Sequence, residues 1–530
     1  MQQKILKLFM KKGFLLDSEM LKFLTELEDE DFAKEIVNKI AIVSRQKIIT
    51  KNLIIKNVNK LKPIIFELND EKKQIVKNFF INFSVSLEIK KETNFNFKNK
   101  NEEENSKNSK ENSKNYSLKV ISSPIIASKK ISVKDFVYHF RNRYNFFKKI
   151  LQNKSELENL TSIDKITNYN PSFSVIGIVS SKTISKNKNL FLEIEDLTGT
   201  IKVLINKSNE KIFEKSKEIL LDDVIGFRCP GTRDFLFIKD FFYPDSVLNE
   251  NHRTDEESYA LFISDLHLGS KNFLSENFEK FIKWLNGENC NEEQKNLLKK
   301  IRYLFVVGDS IDGVGIYPNQ EKDLQIKDIR KQYEELAKFY KRIPDHIQII
   351  QCPGQHDSVR IAEPQPPIGI DFAEPLYRIK NLTLVSNPSL IELIEKNNKP
   401  GIKVLMYHGA SMHNIINQIE ELRLSNAHST PSKVVKHLLL RRHLSPIHGA
   451  SIYIPNKDED PMIIKEIPDI ITMGDLHKTD LDKYNGIQII NCSCWQSLTA
   501  FEEKVGNRPD PCKVPIFNLK TGGIKILDFS

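Results

Sequence analysis

The tripeptide Asp-Leu-His occurs twice in this chain, at Asp265–His267 and at Asp475–His477. A carboxylate and an imidazole two positions apart could chelate a divalent metal ion, because Asp and His together suit Mn, Fe or Zn. In an extended backbone, residues i and i+2 point the same way, so we expect each tripeptide to present both ligands on one face. One such tripeptide can arise by chance among 12 His, so the flanking sequence has to decide.

Five short apolar runs precede the residues that could do chemistry. The runs ALFIS, YLFVV, IQIIQC, KVLMY and DIITM have the length and composition of buried strands. The residues that follow them, in chain order, are Asp265, His267, Asp309, Asp312, Gln355, His356, Asp357, His408, Asp475 and His477. Loops that leave the same ends of adjacent strands converge on one crevice. The pattern predicts one site for two divalent ions bridged by a carboxylate, a clamp for in-line attack on phosphorus.

Each of these motifs taken singly is also compatible with a capped turn that carries a surface His. Five motifs at the ends of five strands disfavour that alternative. Ten of the 12 His lie beyond residue 260, which places the chemistry in the carboxyl-terminal half.

The elements that must position these residues form a layered α/β domain, predicted over 255–530. Apolar β-branched runs alternate there with helical segments. Residues 131–250 are predicted to form a helix, capped by Ser132, and an OB-type β-barrel, because short β-rich runs separated by turns follow one another over 173–242. Asp196–Gly199 is predicted to be a tight turn in that barrel.

The amino-terminal part has a different composition. Residues 1–85 are rich in Leu, Ile and Lys at helical spacing and predict a small helical module. Residues 86–130, dominated by Asn, Lys, Glu and Ser, predict a disordered linker, because so little apolar content cannot offset the chain entropy.

Two sets of barrel and helix residues leave alternatives open. Lys182, Lys186, Lys188 and Arg233, with Phe191 and Phe235, could hold single-stranded nucleic acid by charge and stacking; they could equally be solvated lysines and core aromatics. Arg441 and Arg442 could contact backbone phosphates or simply end a helix.

The composition limits the class of protein. A net charge of +9 over 530 residues permits a polyanionic partner without requiring one. Six scattered cysteines predict reduced thiols. Charged residues interrupt every long apolar run, so we expect a cytoplasmic protein with no membrane partner.

The order of the five motifs resembles that of calcineurin-like metallophosphoesterases. Longer strings, such as GDSIDGVGIYPNQ, PGQHDSVRIAEPQPP and NCSCWQSLTAFEEKVGNRPDPCKVP, narrow the resemblance to the exonuclease small subunits of archaeal family-D DNA polymerases, over about 120–530. The fold implied is a phosphoesterase β-sandwich flanked by helices, preceded by an OB-type barrel and a helical module. The activity implied is metal-dependent 3′→5′ exonucleolytic proofreading during DNA replication. The partners implied are a large catalytic subunit, DNA with a single-stranded 3′ end or a primer-template, and a sliding clamp.

The resemblance also implies roles for individual residues. One ion would be held by Asp265, His267, Asp309 and His477, and a second by Asp309, Gln355, His408 and Asp475. Mn is the expected ion, with Mg, Fe or Zn as alternatives. The resemblance further implies His356 as general acid or transition-state stabiliser, Asp357 as the residue that orients it, and Asp312 as a support behind the ligands. Tyr317 would contact the terminal nucleotide, or pack in its Gly-rich loop.

Two positions depart from the family pattern, both at the second ion. Gln355 stands where the family usually has Asn, and Asp475 where it has His. Each keeps a ligand atom, but a displacement of about 1 Å can cost roughly a hundredfold in rate. The alternative function is therefore a catalytically weak scaffold that stabilises the large subunit. A free-standing phosphoesterase for a small substrate is disfavoured by the additional domains.

Overall fold

The computed structural model describes residues 116–126, 130–166, 170–395 and 400–530, together with the segments 15–16 and 48–49. Met1–Glu103 and Glu104–Ser530 are separate compact units. In the first unit, β1 (Leu15–Leu16) pairs in parallel with β2 (Ile48–Ile49). The rest of the predicted helical module and residues 86–115 of the predicted linker lie outside the described residues.

The carboxyl-terminal part of the predicted linker is a strand. β3 (Tyr116–Ser122) pairs antiparallel with β14 (Ser389–Glu395), so the prediction of a linker as far as residue 130 was wrong. Leu118 and Val120 pack against the core between two sheets. Their alternation is the period of a strand with one buried face, which the polar composition of the preceding tract obscured.

The second unit has ten α-helices among its described residues. They are α1 (Val133–Leu151), α2 (Glu210–Ser216), α3 (Ser275–Leu285), α4 (Glu292–Leu298), α5 (Ile329–Tyr340), α6 (Ile370–Tyr377), α7 (Met412–Gln418), α8 (Glu420–Leu424), α9 (Pro431–Arg441) and α10 (Ala500–Val505). As predicted, α1 begins directly after Ser132, whose backbone N–H donates to the Asp135 carboxylate at 2.9 Å. No helix among the described residues has both the length and the apolar character needed to cross a bilayer.

A closed β-barrel follows α1. Its strands are β4 (Asn170–Ile184), β5 (Leu190–Glu195), β6 (Thr200–Ile205), β7 (Val224–Gly231), β8 (Phe235–Phe237) and β9 (Asp240–Phe242). β4 pairs with both β5 and β7, which closes a ring of five strands in the order β4-β5-β6-β8-β7. The predicted barrel and its turn are present: the Asp196 carboxylate accepts the Thr198 N–H at 2.7 Å and the Gly199 N–H at 3.0 Å.

The barrel residues considered for nucleic-acid binding divide into two groups. Lys182 Nζ donates to the backbone carbonyls of Lys217 and Ile219, both at 2.7 Å, and burial lowers its pKa to about 8. Lys182 therefore stabilises the barrel itself. Phe191 and Phe235 are half-buried, with ring centroids 5.9 Å apart, and base stacking on them stays a prediction.

Two six-stranded sheets form the rest of the unit. Besides β3 and β14, their strands are β10 (Tyr259–Ile263), β11 (Ile301–Val307), β12 (Gln348–Cys352), β13 (Leu382–Leu384), β15 (Ile402–Met406), β16 (Ile470–Met473), β17 (Asp480–Tyr484), β18 (Ile487–Asn491), β19 (Lys513–Asn518) and β20 (Ile524–Asp528). The first sheet has the order β13-β12-β11-β10-β19-β20 and the second the order β17-β18-β16-β15-β14-β3.

Alternation along the strands shows why the two sheets pack face to face. In β10, Ala260 and Phe262 join a core shared with strands of the second sheet, whereas Leu261 and Ile263 face the core under α3, α5 and α6. Helices α7 and α9 cover the outer side of the second sheet. Successive side chains of a strand point to opposite faces, so a strand that is apolar at every position is buried on both. The result is a helix–sheet–sheet–helix layering. The alternating runs predict a layered α/β domain, and the resemblance implies the sandwich flanked by helices.

Arg441 and Arg442 are part of the fold. Arg441 is buried, donates to the Asp223 carboxylate at 2.9 Å and lies 4.9 Å from the centroid of the Tyr243 ring. Arg442 donates to the backbone carbonyl of Ile464 at 3.0 Å. Since Asp223 and Tyr243 flank the last barrel strands, Arg441 ties the barrel to α9. Arg442 ends that helix, held to the segment that contains Ile464.

A buried carboxylate lies at the centre of the AEPQPP segment. Glu363 is 1% exposed, accepts hydrogen bonds from Tyr407 and Ser451, and has no hydrogen-bond partner at Oε1. Burial raises the pKa of Glu363 from its ordinary 4.5 to about 7. The folded state therefore binds this proton more tightly than the unfolded chain does.

Glu363→Gln is expected to change how stability depends on pH. Because its pKa is raised in the folded state, Glu363 does not lower the free energy of unfolding below about pH 4.5. As the pH rises through 7, ionisation of Glu363 lowers the free energy of unfolding by up to about 3 kcal/mol. The free energy of unfolding of the native protein should thus fall relative to Glu363→Gln as pH rises from 4.5 to 7.5. Denaturant unfolding of both proteins in metal-free buffer measures the difference; a difference independent of pH would contradict the assignment.

Candidate metal centre

The five loops that carry the predicted residues meet at one cavity. β10, β11 and β12 are parallel neighbours in the first sheet, and β15 and β16 are parallel neighbours in the second. The candidate residues begin two or three positions after each strand ends. A cavity of about 1030 Å³ opens beside them, lined by residues that include His267, Asp309, Asp312, Gln355, His356, Tyr317, Asp475 and His477.

The first cluster is formed by Asp265, His267 and His477. The two Nε2 atoms are 3.2 Å apart, and Asp265 Oδ1 lies 3.4 Å from His477 Nε2. His267 Nδ1 faces Asp312 Oδ1 at 3.1 Å, and His477 Nδ1 faces Glu502 Oε1 at 2.8 Å. A carboxylate at Nδ1 holds the proton on that nitrogen. The two Nε2 lone pairs therefore face each other, an arrangement that a cation between them would stabilise.

The second cluster is formed by Asp265, Asp309 and His408. His408 Nδ1 donates to the Val307 carbonyl at 2.8 Å, which leaves its Nε2 lone pair 3.2 Å from Asp309 Oδ2. Asp309 Oδ2 is also 4.0 Å from His267 Nε2. Asp309 thus lies between the two clusters, where a bridging ligand would have to be.

Several buried ligand atoms lack a hydrogen-bond partner. They are Asp265 Oδ1, His408 Nε2, Gln355 Oε1 and Asp475 Oδ2. A buried polar atom without a partner costs roughly 1–3 kcal/mol, and a bound cation would satisfy ligand atoms of this kind. Burial acts to raise the pKa of Asp309, yet His408 and His356 hold it well below its ordinary value. Oxygen and nitrogen donors in this arrangement fit two divalent cations.

The backbone of the two Asp-Leu-His loops is not extended. Asp265 and His267 have φ of 50° and 49°, and Asp475 and His477 have 68° and 54°. The expectation of an extended tripeptide was therefore wrong, because all four residues occupy the left-handed region, at a cost on the order of 1–3 kcal/mol each. Backbone hydrogen bonds hold the first loop: the Asp265 N–H donates to the Gly308 carbonyl at 3.0 Å and the His267 N–H to the Asp309 carbonyl at 3.1 Å.

His356 lies at the cavity wall beside both clusters. Its backbone N–H donates to Asp309 Oδ1 at 2.8 Å, and its Nδ1 donates to the Asp312 carbonyl at 2.8 Å. This bond engages Nδ1 only, and Nε2 is left to the cavity that His356 lines. Asp312 supports the site twice, through this carbonyl and through its carboxylate on His267.

The prediction that Asp357 orients His356 was wrong. Buried Asp357 instead accepts the Gly354 N–H at 2.9 Å and the Ser310 hydroxyl at 2.5 Å. It therefore fixes the loop after β12 to the loop after β11. Gly354 is required in this packing, since a Cβ there would lie 2.2 Å from Asp309 Oδ1.

The two residues that depart from the family pattern contact each other. Gln355 Nε2 donates to Asp475 Oδ1 at 3.0 Å, and the same oxygen lies 3.8 Å from His408 Nε2. Asp475 belongs to none of the three clusters of candidate ligands found among the described residues. The structure thus brings Asp309 and His408 together but leaves Asp475 farther out.

Glu502 is a site residue that the sequence reasoning missed. It is buried and holds His477 Nδ1, while its other oxygen accepts the Thr499 N–H at 2.9 Å. Thr499 and Glu502 form the capping box of α10. The T-x-x-E spacing could have predicted the cap, but not that the free carboxylate oxygen reaches a histidine 25 residues away.

Glu502→Gln is expected to weaken the binding of the first ion by about 10- to 100-fold. The amide removes the charge that keeps the proton on His477 Nδ1, so Nε2 becomes a poorer ligand. Calorimetric titration with Mn²⁺ measures the change. Glu503→Gln is the matched control because Glu503 is exposed on the same helix; equal affinities for the two variants would contradict the role of Glu502.

Comparisons with known proteins agree with these motifs. The family of DNA polymerase alpha/epsilon B subunits matches residues 260–481. The DNA polymerase II small subunit of Methanothermobacter thermautotrophicus is 37% identical over 75% of this chain and 80% of its own length. That of Pyrococcus furiosus is also 37% identical, over 76% of this chain and 64% of its own length, so the match spans less than two thirds of that relative.

A solved structure titled as a novel archaeal phosphodiesterase covers 51% of this chain and 98% of its own at 13% identity, with a TM-score of 0.24. A likeness this low carries no argument about function. The sequence relatives confirm the resemblance: this chain belongs to the family of archaeal DNA polymerase II small subunits.

Proposed function

We propose that this chain is the proofreading 3′→5′ exonuclease subunit of a heterodimeric replicative DNA polymerase of family D. The observation that carries the proposal is the set of buried, unpartnered ligand atoms on Asp265, His408 and Gln355. His408 Nε2 lies 3.9 Å from Asp265 Oδ1, and Gln355 lines the cavity beside them. A subunit that acted only as a scaffold would have no need to bury such groups without partners.

The proposed first ion is held by Asp265, His267, Asp309 and His477. The proposed second ion is held by Asp309, His408, Gln355 and Asp475. When bound, two divalent ions, Mn²⁺ by preference, would neutralise charge that develops on the phosphoryl oxygens during in-line hydrolysis.

The protein's own residues account for positioning and proton transfer. Asp312 holds His267 through its carboxylate and His356 through its carbonyl. His356 is proposed to donate through Nε2 to the scissile phosphate or its leaving oxygen. Tyr317 is 41% exposed at the rim, and its hydroxyl donates to Asp323 at 3.2 Å, which leaves the ring face for the terminal base.

The proposed partners are a large polymerase subunit, the 3′ end of a primer-template, and a sliding clamp. The scaffold function is the second candidate. It is favoured by one observation: Asp475 accepts from Gln355 and lies outside the candidate metal clusters of the described residues. Such a protein would stabilise the large subunit with little hydrolysis of its own.

A primer-shortening assay separates the two functions. The full chain, alone and with its large subunit, is incubated with a 5′-labelled primer whose 3′ nucleotide is mismatched, in Mn²⁺ or Mg²⁺. Stepwise shortening from the 3′ end, faster for the mismatched than for the matched primer, is expected. Absence of shortening with every divalent ion, with and without the large subunit, would reject the nuclease and leave the scaffold.

A further inference from the structure

The two carboxylate oxygens of Asp475 have different surroundings. Oδ1 accepts the Gln355 amide at 3.0 Å. Oδ2 is buried and has no hydrogen-bond partner, yet His413 Nε2 lies 3.5 Å from it. One oxygen of Asp475 therefore accepts a hydrogen bond within the protein, and the other faces an imidazole without a hydrogen bond between them.

His413 reaches the cavity from α7, not from one of the five strand-end motifs. It lies at the second position of that helix, and its half-exposed side chain lines the same cavity as Gln355 and His356. Its Nδ1 lies 3.4 Å from His428 Nε2. A neighbouring ring at Nδ1 leaves Nε2 directed at Asp475.

The distance between these atoms fits two ligands of one ion. Metal–nitrogen and metal–oxygen bonds of about 2.1 Å place neighbouring ligand atoms about 3.0 Å apart at an octahedral angle and about 3.4 Å apart at a tetrahedral angle. The His413–Asp475 distance of 3.5 Å is close to this range. It also resembles the 3.2 Å distance between His408 Nε2 and Asp309 Oδ2 in the second cluster.

We propose that His413 Nε2 and Asp475 Oδ2 are neighbouring ligands of the second divalent ion in this chain. The inference rests on the proposed function, because it assumes a site for two ions. It adds a nitrogen ligand from α7 and gives the carboxylate at position 475 a neighbouring ligand at each oxygen, Gln355 at Oδ1 and His413 at Oδ2. The ligand set then draws on both sheets and on a helix that covers the second.

The test is a double-mutant cycle of Mn²⁺ binding to the full chain. The proteins are the native chain, His413→Ala, Asp475→Ala and the double variant, with bound metal counted by elemental analysis and affinities measured calorimetrically. Two ions are expected for the native chain. Each single variant should bind the second ion at least tenfold more weakly, and the double variant should be no weaker than the worse single variant, because the two side chains act on one ion.

Asn417→Ala is the matched control, since Asn417 is exposed on the same helix and lines the same cavity; its affinity for both ions should equal that of the native chain. Thermal unfolding in metal-free buffer checks that every variant folds. Unchanged binding of two ions by His413→Ala would overturn this inference alone. A native chain that binds no divalent ion would overturn the two-ion site and the proposed nuclease with it.

Discussion

Asp309→Asn is expected to lower the rate of primer shortening on the order of a thousandfold or more and to reduce the bound Mn²⁺. Asp309 Oδ2 lies 3.2 Å from His408 Nε2 and 4.0 Å from His267 Nε2, so it reaches both candidate ion positions. An amide keeps the size of the side chain but removes the charge that holds two cations close together. The same change also removes a carboxylate acceptor from the His356 N–H.

The measurement is the single-turnover rate on the mismatched primer, together with metal content. Asp323→Asn is the matched control: Asp323 is an exposed carboxylate that lines the same cavity, and its described partner is Tyr317 rather than a candidate ligand. Its loss should leave metal content unchanged. A rate for Asp309→Asn within tenfold of the native rate would reject Asp309 as the bridging ligand.

His356→Ala is expected to lower the same rate by about a hundredfold to ten-thousandfold while the two ions remain bound. The reason is that removal of a positioned proton donor costs this much. The hydrogen bonds of His356 to this region run through its backbone N–H, to Asp309, and through its Nδ1, to the Asp312 carbonyl. The alanine keeps the backbone N–H and therefore its hydrogen bond to Asp309.

Metal content separates two roles for His356. Its ring also lies within a cluster formed with His267 and Asp309, so a loss of one bound ion in His356→Ala would show that it is a ligand rather than a proton donor. The matched control is His346→Ala. It removes an exposed histidine that lies outside the cavity. A native rate for His356→Ala would reject any chemical role for the residue.

The location of the candidate site followed from short patterns. Each apolar run was long enough for one buried strand, and each ended within three residues of an Asp, Gln or His. Parallel strands put their carboxyl ends at one edge of a sheet, so five such junctions predict one crevice without any knowledge of the sheet order. The alternating runs likewise predicted the helical layers and the barrel, because periodicity reports which faces are buried.

The partners of the individual side chains did not follow from those patterns. Periodicity assigns a residue to a face, whereas a hydrogen bond depends on which loops lie within about 3 Å of each other after the sheets have packed. The pattern places Asp357 beside His356, but its carboxylate accepts the Gly354 N–H within its own loop and the Ser310 hydroxyl 47 residues away. No local pattern pointed to Glu502 as a site residue, because only the packing of α10 brings its free oxygen to His477.

The sequence by itself determined the residue types, their order and their placement at strand ends, because these depend on local composition and period. Only the tertiary structure decided the left-handed backbone of the Asp-Leu-His loops, the position of Asp309 between two clusters and the contact between His413 and Asp475. The two tripeptides are 210 residues apart, and no local pattern records a distance across such a separation. The packing of one sheet on the other sets the distance between the two tripeptides. That distance decides which pairs of side chains can share an ion.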